Sequence, residues 1–172
     1  MQDDLFSAVD LELPSRPERV LMSLEPESYG LVWQGRKRHE FRRDYPTGRP
    51  TAWYVYLNAP VAKLAAVIDL DAPVVDTPRR IADLAEEACE GNGASVYDYL
   101  CDLDFGFAIP IRRVREYPGF TAEELAGRLG AFHPPEGYTF VGAHPRLGCV
   151  CDSLTADTVA RELVVQHPAS VS

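Results

Sequence analysis

Short runs of apolar residues, each ended by a proline, glycine, asparagine or aspartate, dominate the pattern along this chain. Short apolar runs bounded by such chain-breaking residues are typical of β-strands. The run at 51–57 (TAWYVYL) is aromatic and β-branched, which favours the extended conformation. The pattern predicts strands at 19–24, 38–45, 51–57, 61–70, 105–117, 138–141 and 147–151.

Between these runs, apolar residues recur at helical spacing and follow recognisable helix-start signals. Thr77 before Pro78 supplies an N-cap and a first-turn proline, and Thr121 with Glu124 forms a capping-box pattern. Gly35 is placed to end the first helix as its C-terminal cap. The pattern predicts helices at 26–34, 78–88, 95–103, 121–129 and 155–165.

The order of these elements predicts the fold class. Strands and helices do not alternate regularly, which argues against a doubly wound sheet and favours an α+β fold with a small barrel or curled sheet. A chain of 172 residues corresponds to one domain with additions. We divide it into an N-terminal tail (1–17), a domain (18–145) and a C-terminal extension with a helix (146–172).

Composition restricts the location and the chemistry. The sequence has no apolar run of about 18 residues, and its first ten residues carry three aspartates and no basic residue, so we expect a cytoplasmic protein without a membrane span. No cysteine pair has CxxC spacing, so reduced thiols are expected, and neither a metal nor a cofactor. The four cysteines are Cys89, Cys101, Cys149 and Cys151, of which the last two would share one face of the predicted strand at 147–151.

The charge distribution is uneven. The whole chain has a net charge of −9, but the segment 35–50 holds six basic and two acidic residues and is therefore locally +4. A small positive site on an acidic body suits one phosphate group or a short strand better than bulk coating of nucleic acid.

The centre of this segment, Gln34 to Arg43 (QGRKRHEFRR), carries the candidate chemistry. On a strand, Glu40 and Arg42 would share one face, so Glu40 would hold the Arg42 guanidinium in position for bidentate bonds to phosphate. Lys37 would add a mobile positive charge. The predicted ligand-binding residues are Gly35, Lys37, Arg38, Glu40, Arg42 and Arg43. The competing interpretation is that these charges form a solvated strand face.

The spacing Gly35-x-Lys37-x-x-Glu40-x-Arg42 matches the GxKxxExR signature of the ASCH family at every fixed position. The stretch 54–63 (YVYLNAPVAK) and the segment 133–138 also resemble one branch of that family, so the resemblance covers about residues 19–142. It implies a PUA-like β-barrel with flanking helices and a cleft beside the signature. It also implies a nucleic-acid or nucleotide ligand, most often RNA, and a role in RNA-associated or translational regulation.

Some members of the family are hydrolases, and the resemblance carries over to them only in part. The branch that deacylates a modified cytidine uses a lysine, a hydroxyl residue and a glutamate. Lys37 matches the lysine, but Glu40 occupies the hydroxyl position, which argues against that amidohydrolase activity here.

Three hypotheses for the function follow. The first is an RNA- or nucleotide-binding module; the second is an RNA or nucleotide hydrolase with Lys37 and Glu40 as a catalytic acid–base pair. The third is a protein-interaction module that uses the acidic body and the ends of the chain. Trp53, Tyr54 and Tyr56 are further candidates for base stacking. The sequence does not predict an oligomeric state.

Overall fold

One long strand, β6 (Gly106–Thr121), organises the sheet in the computed structural model, which describes residues 16–167. The other strands are β1 (Glu18–Leu24), β2 (His39–Arg42), β3 (Thr51–Leu57), β4 (Lys63–Leu70), β5 (Val74–Asp76), β7 (Tyr138–Phe140) and β8 (Arg161–Val164). The helices are α1 (Pro26–Trp33), α2 (Pro78–Ala88), α3 (Asn92–Leu100), α4 (Ala122–Leu129) and α5 (Pro145–Ala156), and a 3-10 turn spans Val141–Ala143.

The sheet is mixed and follows the order β2-β6-β4-β3-β1-β7. β1 and β3 run parallel, with Val20 opposite Trp53, and the other pairings are antiparallel. The first part of β6 pairs with β2 and β5, whereas its later part pairs with β4 and β8. The sheet therefore curls into a half-barrel, and the predicted α+β fold is confirmed.

β3 is buried on both faces, which explains its continuous apolar sequence. Trp53 and Val55 pack inside the curl with α1, while Tyr54 and Tyr56 pack on the opposite face under α4 and α5. The indole of Trp53 also donates to the Met22 carbonyl oxygen (2.9 Å). All three aromatic side chains are thus core residues, and the idea that they stack bases is wrong.

A glycine in β6 allows the sheet to curl. At Gly119 the backbone has a φ of +77°, and a Cβ there would lie 2.3 Å from the Leu64 carbonyl oxygen of the neighbouring strand. The pairing between β4 and β6 shifts register between Leu64 and Ala66, beside this glycine. Only glycine combines that backbone conformation with so close an approach of two strands.

Two elements near the C-terminal end differ from the sequence predictions. Residues 147–151 lie within helix α5, not in a strand; Leu147, Val150, Cys151 and Leu154 are buried at helical spacing, while Cys149 is exposed. The helix predicted at 155–165 is wrong: 155–156 are the end of α5, and 161–164 form β8 on the edge of β6. The Arg161 guanidinium, which pairs with Glu116 (2.9 Å), holds that strand in place.

Other boundaries shift less. The strand predicted at 38–45 is only the four residues of β2, and α3 begins at Asn92, earlier than expected. The capping box of Thr121 and Glu124 is present, as predicted. Of the predicted tail, residues 1–15 lie outside the described part of the chain. None of the helices in residues 16–167 is long and apolar enough to cross a membrane.

We predict that Gly119→Ala lowers the free energy of unfolding by about 2 kcal/mol or more, because it adds backbone strain and a clash with Leu64. Gly127→Ala, in α4, is the matched control: no atom lies within 4 Å of the position that a Cβ would take there, so the change should be neutral or stabilise by about 0.5 kcal/mol. Urea unfolding of both variants measures the difference, and equal stabilities would contradict this role for Gly119.

Candidate functional site

The signature begins with a sharp reversal of the chain after α1. Gly35 has a φ of +74°, its N–H donates to the Val32 carbonyl oxygen (3.0 Å), and the Arg36 N–H donates to that of Leu31 (2.9 Å). This pair of bonds is a Schellman motif, which ends a helix and favours glycine at the left-handed position. The helix end predicted at Gly35 is confirmed, and the reversal carries Lys37 into a cleft.

The cleft has a volume of about 710 Å³ and lies where several elements end. The ends of β1 and β3 and the start of α1 form one side, β2 forms the floor, and α3 and the loop at 134–136 complete it. Its lining comprises Ser23, Leu24, Glu25, Ser28, Lys37, Glu40, Phe41, Arg42, Asn58, Tyr99, Pro134, Pro135 and Glu136.

Lys37 and Glu40 form an ion pair at the floor of this cleft. The Lys37 Nζ lies 3.6 Å from Glu40 Oε2, and the two side chains are only 14% and 9% exposed. Glu40 Oε1 accepts from the Phe41 N–H (3.2 Å), whereas Oε2 is buried and has no hydrogen-bond partner among the described residues. Such a carboxylate retains acceptor capacity.

Arg42 also lines the cleft, but Glu40 does not hold it as the sequence suggested. Its buried Nε has no hydrogen-bond partner among residues 16–167. Lys37 precedes β2, and its flexible side chain reaches the Glu40 carboxylate instead. Arg42 is therefore left with donors available for a ligand.

The remaining signature-region arginines point elsewhere. Arg43 makes a bidentate ion pair with Asp102 (2.6 Å for each bond) and donates to the Tyr99 carbonyl oxygen (2.7 Å). These bonds fasten the end of α3 to the end of β2, and the Arg43 guanidinium holds the pKa of Asp102 down at about 2. Gly35 and Arg38 border a separate hollow beside β8.

The cleft is consequently of mixed charge. Lys37 and Arg42 face three carboxylates, those of Glu25, Glu40 and Glu136. The Asn58 side-chain amide donates a hydrogen bond to Glu25 Oε1 (2.8 Å), so this carboxylate oxygen already has a partner. The local +4 of the sequence segment does not become a basic cleft, because its other arginines lie outside the lining.

Tyr99 and the diproline segment are cleft residues that sequence reasoning missed. Helical spacing predicts that Tyr99 faces inward, but its side chain is 45% exposed at the cleft rim. Pro135 is fixed to β1 by its carbonyl oxygen, which accepts from the Ser23 hydroxyl (2.9 Å). Only the three-dimensional arrangement brings these residues opposite Lys37, since no local spacing connects them.

His39, inside the signature, is a core residue. Its ring is buried 5.2 Å from the ring of His167, and its Nδ1 has no hydrogen-bond partner among the described residues. Burial, with smaller contributions from His167 and Arg38, lowers the pKa of His39 to about 4. Since its ring is uncharged at neutral pH, it adds no cation to the site. Within residues 16–167 no three metal-ligating side chains come together.

The chain is thus an α+β half-barrel with a cleft where several of its elements end. Three crystal structures of the ASCH protein from Zymomonas mobilis have this fold. A serine-to-alanine mutant is 21% identical, with 83% of this chain and 99% of that chain covered and a TM-score of 0.69. Another of the three is 20% identical, with 80% of this chain and 95% of that chain covered and a TM-score of 0.64.

The chain therefore has the ASCH fold, as the signature at 35–42 led us to expect. No family model matches the sequence, and neither does any curated protein. At this level of identity the similarity establishes the fold alone.

We predict that His39 makes stability depend on pH. Its pKa is about 4 in the folded protein and about 6.5 in the unfolded chain, so the unfolded chain binds more protons between these values. The free energy of unfolding should therefore fall by up to about 3 kcal/mol as the pH drops from 7 through 4.

Chemical denaturation of wild type, His39→Leu and the exposed-site control His133→Leu across this pH range tests the assignment. His39→Leu should show a shallower fall, and His133→Leu should follow the wild type. Parallel curves for wild type and His39→Leu would show that His39 is not responsible.

Proposed function

We propose that this chain is an RNA- or nucleotide-binding module whose cleft takes one unpaired base and its phosphate. The observation that carries the proposal is a pair of buried polar atoms at the cleft floor, Glu40 Oε2 and Arg42 Nε, without hydrogen-bond partners among residues 16–167. Buried polar atoms are nearly always satisfied in folded proteins, so an acceptor and a donor without partners, on two residues that line the same cleft, support a polar ligand there.

The arrangement suits a nucleotide in particular. Glu40 Oε2 is an acceptor for an N–H group of a base edge, and Arg42 and Lys37 are charged donors for phosphate oxygens. The cleft volume of about 710 Å³ lies within the range of small-molecule sites. The ASCH fold is compatible with this class of ligand.

The charge balance of the lining limits the ligand to few phosphates. Three carboxylates against two cations repel a polyanion that lies along the rim. A single phosphate bound by Lys37 and Arg42 meets both cations and experiences less of that repulsion than a chain of phosphates would. Affinity should then fall only gently with salt, since each neutralised phosphate of a single strand contributes a slope of about 0.7 in the logarithmic plot.

The walls are suited to a planar group. The Tyr99 ring is exposed at the rim, and the Arg43 guanidinium lies 5.9 Å from its centroid. Pro134 and Pro135 line the same cleft from the loop before β7. A base inserted here would stack on Tyr99 and contact the diproline segment, while its edge meets Glu40.

A second candidate is an RNA or nucleotide hydrolase in which Lys37 and Glu40 act as the acid–base pair. The observation that favours it is the 3.6 Å separation of the Lys37 Nζ and the Glu40 carboxylate in a shielded part of the cleft. The two candidates differ in one result: a hydrolase converts the RNA, and Glu40→Gln abolishes that conversion.

We predict that Lys37→Ala and Arg42→Ala each weaken RNA binding at least tenfold, because a charge-assisted hydrogen bond contributes about 1.5–3 kcal/mol. Arg49→Ala is the matched control, since Arg49 belongs to the same basic segment but is exposed and does not line the cleft. Its affinity should stay within about twofold of the wild type.

The measurement is fluorescence anisotropy with a mixed pool of short labelled single-stranded RNAs at two salt concentrations, followed by a gel of the same samples. Unchanged affinity in both cleft variants would refute the binding module. If the wild type cleaves the RNA and the Glu40→Gln variant leaves it intact, the hydrolase becomes the favoured function.

We further predict that Tyr99→Leu weakens the same binding about tenfold, whereas Tyr99→Phe preserves it, since stacking requires the ring and not the hydroxyl. Tyr97→Leu is the control: Tyr97 is on the same helix but packs under Arg79, with 4.8 Å from the guanidinium to the ring centroid, and lies outside the cleft lining. Equal losses in the Tyr99→Leu and Tyr97→Leu variants would indicate a general effect on α3 rather than stacking.

A further inference from the structure

A second hollow lies directly beside the cleft, on the other side of Pro135. It has a volume of about 500 Å³, and Pro135 lines both hollows. Leu21, Phe132 and Leu147 give it apolar walls, in contrast to the polar floor of the cleft. We call it the Pro135 groove.

The two hollows are neighbours along β1. Leu21 lines the groove and Ser23 lines the cleft, and residues two apart on a strand point to the same face about 7 Å from each other. The Ser23 hydroxyl donates to the Pro135 carbonyl oxygen (2.9 Å), so the ridge between the hollows is fixed to the sheet. A chain molecule that leaves the cleft and crosses this ridge would therefore place its next unit in the groove.

The groove differs from the cleft in charge. Its lining includes Arg146, His133 and His144 and contains no carboxylate, whereas three carboxylates line the cleft. Arg146 is exposed and has no ion-pair partner among residues 16–167. Its Nη1 lies 3.7 Å from the Cβ position of Gly130, at the end of α4, so the cation sits at the rim of the groove.

These observations together favour one occupant. Apolar walls accommodate a base or a ribose, and an unpaired arginine at the rim accommodates a phosphate. Because Pro135 lines both hollows, a base and a phosphate of the strand that occupies the cleft would be close enough to enter the groove. Because Arg146 also lies near the last carbonyl groups of α4, which favour a cation, its substitution is expected to affect stability slightly as well.

We propose that the Pro135 groove binds the neighbouring nucleotide of the single strand whose first nucleotide occupies the cleft, with Arg146 on its phosphate. This inference rests on the proposed function and extends it from one nucleotide to two. The recognised ligand is then a single-stranded dinucleotide unit rather than a free mononucleotide.

The test compares two probes, a mixture of the four ribonucleoside 5′-monophosphates and a mixture of 5′-phosphorylated RNA dinucleotides, by competition against a labelled short RNA. Wild type should bind the dinucleotides at least tenfold more tightly. Arg146→Gln should reduce that advantage at least fivefold and leave mononucleotide affinity unchanged. Ala131→Trp, which fills the groove from its rim, should do the same without changing any charge.

Arg128→Gln is the matched control, since Arg128 is an exposed arginine at the end of α4 that packs over Phe120 (4.5 Å to the ring centroid) and does not line the groove. It should retain the full dinucleotide advantage. Thermal unfolding of each variant confirms that it is folded at the assay temperature.

The outcomes separate the two proposals. Equal affinities of wild type for mononucleotides and dinucleotides would overturn the groove inference and leave the cleft intact. An advantage that survives both Arg146→Gln and Ala131→Trp would overturn it as well. Failure of wild type to bind either probe or the labelled RNA would instead remove the proposed function itself. A change of oligomeric mass in Ala131→Trp would mark the groove as a contact between copies of the chain and would also overturn the inference.

Discussion

The hydrogen bonding of β6 is the constraint on which the rest of the structure depends. Its first half bonds β2 and β5, and its second half bonds β4 and β8. The partners change between Pro110, which faces β2, and Ile111, which faces β4, and Gly119 allows the far end of the strand to approach β4 where an ordinary side chain would clash. The position of Glu40 and Arg42 relative to the ends of β1 and β3 is set through this strand. The site thus depends on a strand that lies far along the chain from the signature.

The positions of the basic side chains show why the net charge of a sequence segment does not predict the charge of the cleft that the segment lines. Arg43 contacts Asp102 and the Tyr99 backbone, where it fixes α3 at the rim instead of binding a ligand. Lys37 is compensated by Glu40, so Arg42 is the cation of the cleft whose Nε remains without a partner among the described residues. Under the proposed function, an acidic protein with one such arginine in a shielded cleft would reject nonspecific polyanions and still accept a single phosphate.

The sequence predicted those features that local physics determines. The end of α1 at Gly35 depends on a positive φ, and the start of α4 depends on the Thr121 capping box, so each is decided within a few residues. The wrong predictions concern elements whose structure is decided by contacts with distant parts of the chain. The alternation around Cys149 and Cys151 resembled a strand, but a continuous buried helical face includes Leu147 and Leu154. β8 forms because β6 offers it an open edge, which no local pattern reveals.

The proposed function gives the Lys37–Glu40 pair a role that its contribution to stability does not. Desolvating two charges costs free energy that a 3.6 Å contact, longer than a hydrogen bond, only partly offsets, and Glu40 Oε2 remains unsatisfied. An apolar pair of similar size would stabilise the floor at least as well. A strained or unsatisfied group that persists in a fold is expected where function requires it. A ligand that donates to Oε2 would supply the missing hydrogen bond. The free protein has already desolvated this oxygen, so the ligand would gain affinity without a further desolvation penalty there. The unsatisfied oxygen of Glu40 therefore favours the cleft over the exposed arginines around it as the site proposed to bind the ligand.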